Sequence, residues 1–168
     1  MKRYLLLSAV VVAALAFPGV ASAQSGHFVT GGNNAPTCTD NGTTVSCVGK
    51  VAGLGGTTFE IQIDATGIAD VTCANPGAPS GGGQNTDVPG QRTEVTTSGT
   101  TGELPTPRNG QFVFGIDPLL TTGEPAAPTD ACPNDSWEAS IVDVEFTTAT
   151  LTLLEDGVQS DQITVPVT

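Results

Sequence analysis

Basic side chains are scarce: 5 Lys+Arg stand against 17 Asp+Glu in 168 residues, a formal net charge of −12. A phosphate backbone is gripped by a cationic footprint, so nucleic acid is excluded as a partner. The chain has one histidine, His27. Histidine-cluster metal centres cannot be built from it, and a Ser-His-Asp relay would depend on a residue beside the amino-terminal end. The patterns G-x-S-x-G, H-E-x-x-H and the P-loop are all missing. With one Trp and one Tyr, there is little to line a sugar cleft between paired carboxylates. No C-x-x-C occurs, which removes zinc ribbons and thioredoxin-like redox sites. Charged residues make up only 13%, whereas Gly (21), Pro (12) and Thr (25) are plentiful, a composition for strands and turns rather than surface helices.

Long hydrophobic runs are lacking too, apart from one. Lys2 and Arg3 precede an apolar stretch, Leu5 to Phe17, which Pro18-Gly19 breaks before the small residues Ala21-Ser22-Ala23. This is the layout of a signal peptide, residues 1–23, with cleavage before Gln24. The run is shorter than the ~20 residues that a helix needs to cross ~30 Å of hydrocarbon. No Cys follows the cleavage point to accept a lipid. The expectation is a secreted, extracellular product of one domain, 24–168, with no membrane insertion. Losing Lys2 and Arg3 leaves three cations, Lys50, Arg92 and Arg108, against all 17 acids, so the mature charge is −14. Such a surface repels anions and attracts metal ions or basic partners.

Four cysteines, Cys38, Cys47, Cys73 and Cys132, remain in the mature chain, and an even count in an exported protein reads as two disulfides. Three connectivities exist. Asp40-Asn41-Gly42 is a turn signal between Cys38 and Cys47, which favours their pairing across a hairpin and leaves Cys73 with Cys132.

The remaining sequence alternates. Phe59, Ile61, Ile63 and Ala65 fall on one face of 58–66, and Ile68 to Cys73 continues after a bulge or turn at Gly67. Phe112, Phe114 and Ile116 repeat the pattern in 111–116. In 137–147, Ala139, Ile141 and Asp143 fall opposite Val142, Val144 and Phe146. Further strands are expected at Phe28-Val29, 43–51, 93–97, 148–154 and 162–167, the last two joined by Asp156-Gly157. Seven to nine short strands at this spacing predict an all-β, immunoglobulin-like β-sandwich. Trp137 is expected in its core, although it follows the Cys73/Cys132 pair instead of lying between its members.

Two irregular stretches interrupt the strands. Residues 74–90 are rich in Pro, Ser and Gly, while 117–136 carries three prolines before Cys132 and Pro133 directly after it. A Cys73–Cys132 bridge would tie both stretches to the same end of the sandwich. Oxygen donors gather here, with Asp130, Asn134 and Asp135 beside Cys132, and again at Glu155, Asp156 and Asp161. Hard oxygen ligands suit Ca²⁺, so the first set is the candidate metal site, although Asp and Asn at such positions also serve turn geometry.

Gly49-Lys50-Val51-Ala52-Gly53-Leu54-Gly55 after a strand, with Cys73-Ala74-Asn75-Pro76-Gly77 opening a loop, resembles small exported actinobacterial proteins of unassigned function. That resemblance implies a secreted β-sandwich and no activity. Thr72 to Gly81 is similar to a Cys-anchored loop of the secreted subtilisin-inhibitor family, and Cys132-Pro133 is similar to the Cys-Pro before that family's reactive bond. Asn134 and Asp135 stand where that family has an apolar pair, and the other cysteine spacings differ. The expected function is non-enzymatic: binding or structural contact with an extracellular or envelope protein through strand edges or the Cys-tied loops. The alternatives are protease inhibition through a Cys-anchored loop and a calcium-binding surface module.

Overall fold

The alternation that begins at Thr58 does not stop at Gly67. In the computed structural model, which describes residues 25–75 and 87–168, it runs unbroken to Ala74 as one 17-residue strand. The expected signal peptide, 1–23, most of the 74–90 stretch and the second half of the inhibitor-like Thr72 to Gly81 segment lie outside the described residues. The strands are β1 (His27–Phe28), β2 (Thr37–Asp40), β3 (Val45–Ala52), β4 (Thr58–Ala74), β5 (Asp87–Pro89), β6 (Thr93–Thr100), β7 (Leu104–Pro105), β8 (Gln111–Phe114), β9 (Leu120–Thr121), β10 (Glu138–Glu155) and β11 (Val158–Pro166). Two 3₁₀ turns, Gly32–Asn34 and Thr129–Ala131, complete the described elements. The molecule is all-β with two disulfides, in a sandwich-like arrangement of two sheets.

Among the described residues the count of eleven differs from the expected seven to nine for a physical reason. Two central strands, β3 and β4, each carry several partners in series. In the first sheet β3 is central: β1 and β8 pair with one end of it, and β2 and β9 with the other. In the second sheet β4 is central, with β10 along one edge and β7, β6 and β5 in succession along the other; β11 lies outside β10. The sheets also meet at their margins. Val167 bridges Cys38 in parallel, and Gly123 N–H donates to Ser98 O at 2.9 Å.

Bulges decide which face each side chain takes. The sequence offers no turn residue between Thr147 and Thr148, and the two strands expected on either side are continuous as β10. Its register against β4 slips between Ile141 and Asp143 and again between Phe146 and Thr148. Each slip inserts one residue and reverses the alternation. Ala139 and Ile141 therefore share the inner face with Val144 and Phe146, correcting the opposed faces expected from strict alternation, while Val142 is left 65% exposed. The bulge expected at Gly67 sits instead on β10 opposite it. A Cβ at Gly67 would stand 2.7 Å from Glu145 O, so the glycine admits the bulged backbone. Ile116 is a second correction. Gly115, at φ +94°, ends the β8 alternation and turns Ile116 outward to 81% exposure.

The core lies between the sheets. Val45, Val51 and Phe114 from the first face Phe59, Ile61, Ile63, Leu151 and Leu153 from the second, all with 1% exposure or less. Burying side chains of this kind is worth ~1.5–3 kcal/mol each. Among the described residues no helix is long and apolar enough to cross a membrane.

Candidate functional site

Cys73, fully buried near the end of β4, bonds Cys132, and Cys38 bonds Cys47 directly opposite it across β2 and β3. The first of these bridges fixes the segment that precedes β10. Gln91 N–H donates to Ala131 O at 2.9 Å, and the Ala131 side chain is buried. Pro133 to Ser136 then turns back at the surface, where Asn134 Oδ1 accepts from Ser136 N at 3.0 Å and from Ser136 Oγ. Trp137 N–H donates to Asn134 O at 3.1 Å, which delivers Trp137, half-buried against the core, to the start of β10.

The other end of the same segment is anchored independently. Thr122 exchanges hydrogen bonds with Val45: its N–H donates to Val45 O at 2.9 Å, and its Oγ1 accepts from Val45 N at 3.0 Å. Thr97 Oγ1 donates to Gly123 O at 2.7 Å. Between these anchors Glu124 to Thr129 passes beside β10 and encloses an open cleft of about 680 Å³ lined by Ala127, Thr129, Asp135 and Trp137 to Ser140. Ala127 and Ser140 also line an adjoining 310 Å³ pocket with Thr43, Glu124, Pro125 and Ile141. Both volumes fall within the ~300–1,000 Å³ of ligand sites.

Among the described residues β10 has no strand partner along this side before Thr148. Its pairing with β11 begins only at Thr148, Val144 N–H donates to Gly42 O at 3.1 Å, and Phe146 N–H donates to Asp40 Oδ2 at 3.0 Å. From Glu138 to Asp143, among the described residues, the edge away from β4 has no backbone partner. The rim carries Glu124, Asp135 and Glu138 and no basic side chain.

The expected calcium ligands are placed apart in role. Asp130 lies in the 3₁₀ turn and is exposed, Asn134 is engaged with Ser136, and Asp135 is on the cleft rim. The second acidic set serves the backbone. Glu155 accepts from Gly26, Gly55 and Gly56, Asp156 from Thr57 and Thr58, and Asp161 from Phe28 and Gln162. Among the described residues no three His, Cys, Asp or Glu side chains converge as metal ligands. His27 is exposed, with Nδ1 donating to Ser25 O at 3.0 Å, and does not line the cleft. Pro133 to Ser136 is exposed and wound into a turn.

Sequence reasoning named strand edges in general and not this one, because which edge stays open is decided by where β11 begins to pair with β10, at Thr148. On the outer face of the second sheet Asp70 and Asp143 stand directly opposite, a repulsive pairing. Arg92 relieves it, donating to Glu145 at 3.0 Å and Asp70 at 2.7 Å, and these bonds, that to Glu145 foremost, raise its pKa above the ordinary value.

No protein-family model, curated protein or solved structure matches the chain.

Proposed function

We infer that the chain is a secreted, non-enzymatic protein that acts by binding through the cleft between β10 and Glu124 to Thr129. The observation that carries this reading is the fixed separation of the two walls. One wall is a core strand; the other is held to β3 and β6 at one end and through Cys132 at the other. A preformed concavity loses little entropy on binding. The lining supports binding more than catalysis, since its hydroxyls, Thr43, Thr129 and Ser140, have no histidine beside them. Two disulfides suit an oxidising compartment outside the cytoplasm, in keeping with export before Gln24. Two sheets packed on a shared core support the finer assignment, an immunoglobulin-like sandwich.

The chain's single Trp lies in the cleft, so its fluorescence reports occupancy. Mature protein immobilised and exposed to culture medium and cell envelope is expected to retain a partner that a Trp137→Ala variant does not. Equal retention by both proteins would remove the cleft from the function.

A further inference from the structure

We propose that the cleft takes an extended cationic peptide, which adds as a strand to the unpaired edge of β10 and places Lys or Arg side chains against the acidic rim. The proposal rests on the binding role of the cleft and names its partner. Two independent features lead to it.

The first is the backbone. A strand edge without partners presents N–H and C=O groups that an added strand satisfies. Here the open stretch from Glu138 to Asp143 is bounded on one side by the hairpin turn at Gly42 and on the other by the turn at Asn134. At ~3.3 Å per residue it admits a segment of about five residues. The floor, half-buried Trp137, Ala139 and Ile141, suits small apolar side chains on alternate positions of the guest.

The second is charge. Glu124, Asp135 and Glu138 rim the cleft, and the basic side chains of the mature chain, Lys50, Arg92 and Arg108, all lie elsewhere. Arg92 is already engaged by Asp70 and Glu145. A guest with cations on one face complements the rim, and an acidic guest is repelled. A second copy of this chain, at net −14, is disfavoured by the same rule.

The test uses four capped five-residue probes titrated against mature protein by Trp137 fluorescence: alternating Lys and Val, alternating Glu and Val, and the Lys-Val peptide N-methylated on one alternate set of amides or on the other. The Lys-Val peptide is expected to bind and the Glu-Val peptide to fail. Methylation of one set is expected to weaken binding at least tenfold while the other set is tolerated, because only one edge of a strand pairs with β10. Paired substitution Asp135→Lys with Glu138→Lys is expected to abolish binding, and Glu103→Lys, on an exposed loop far along the chain, to leave it intact. No binding of the Lys-Val peptide overturns the proposal. So does binding that both methylated sets retain, or that Glu103→Lys weakens equally, since either marks nonspecific attraction to an acidic protein. If the peptide fails while partner retention still depends on Trp137, only the identity of the guest falls and the cleft remains the binding site.

Discussion

Glu155 Oε1 accepts a 2.7 Å hydrogen bond from the backbone N–H of Gly55, a residue 100 positions earlier in the chain. The same oxygen accepts from Gly56 at 3.2 Å, and Oε2 accepts from Gly26 at 2.9 Å. The side chain has 0% exposure, so this carboxylate closes one end of the sandwich by receiving three backbone donors, of which that of Gly26 is buried and would otherwise go unpaired.

Glu155→Gln tests that role. The amide keeps the shape but turns one acceptor into a donor aimed at backbone N–H groups. A buried group left unsatisfied costs about 1–3 kcal/mol. The expected result is a loss of about 2 kcal/mol, seen as a lower denaturant midpoint with an unchanged slope. A midpoint equal to the parent's would show that the three donors find other partners.

Gly99 and Gly102 separate crowding from backbone conformation. A Cβ on Gly99, in β6, would collide with the Thr121 carbonyl and crowd Thr122 Cα at 3.0 Å, where the two sheets meet. Neither obstacle is a flexible side-chain end, so Gly99→Ala is expected to lose about 3 kcal/mol. Gly102 has φ +68° and open space around it. Gly102→Ala is expected to lose only about 1 kcal/mol, the cost of a left-handed alanine. Thermal or chemical unfolding of the two variants side by side measures the difference, and equal losses would contradict it.

The two disulfides are expected to differ in both stability and binding. Their sequence separations are 9 and 59. Loop entropy of the unfolded chain assigns about 2.7 kcal/mol to the shorter and about 4.3 kcal/mol to the longer. Cys38→Ser with Cys47→Ser should therefore lower stability and leave the cleft intact. Cys73→Ser with Cys132→Ser should lower it further and weaken ligand binding, because Cys132 holds the segment that forms one wall. Retained binding in the second pair would show that the Thr122 and Gly123 anchors suffice.

Much of this architecture was legible because alternation is a direct physical signal. The inward set of the first half of β4, Phe59, Ile61, Ile63 and Ala65, follows from placing every second residue against the core, while its unbroken continuation past Gly67 does not. The hairpin at Asp40-Asn41-Gly42 and the tight turn at Asp156-Gly157, where both residues have positive φ, follow from turn chemistry. The burial of Glu155 is not read from the sequence: the expected strand ends at residue 154 and Glu155 is grouped with the acids of the turn, whereas β10 runs on to place it in phase with Leu153 on the inner face. The bulges at Val142 and Thr147 were not legible, since an inserted residue leaves no mark in a single strand and depends on its partner. The cleft is harder still. It exists because β11 stops pairing at Thr148 and a non-repetitive segment runs beside the vacant edge, and both are relations between distant parts of the chain.

The hydroxyl of Thr100 sets the acidity of Glu60 on the outer face of the second sheet. Glu60 Oε1 accepts from Thr100 Oγ1 at 2.6 Å and from Gln62 Nε2 at 3.1 Å, and these bonds hold its pKa below the ordinary carboxylate value, with Thr100 the larger cause. Because the folded value is depressed, the stabilisation is present above the unfolded pKa and is lost as pH falls through the folded one. Thr100→Val removes the stronger donor while keeping a β-branched residue in the strand. The Glu60 carboxyl resonance is then expected to titrate at higher pH, and the difference in stability between parent and variant to shrink, as pH falls below the folded midpoint of the parent, to the constant part left by the lost Gly102 N–H to Thr100 Oγ1 bond. NMR titration of the carboxyl carbon checks the first expectation, and unfolding at a series of acidic pH values checks the second. An unmoved Glu60 titration in the variant would assign the depression to Gln62 instead.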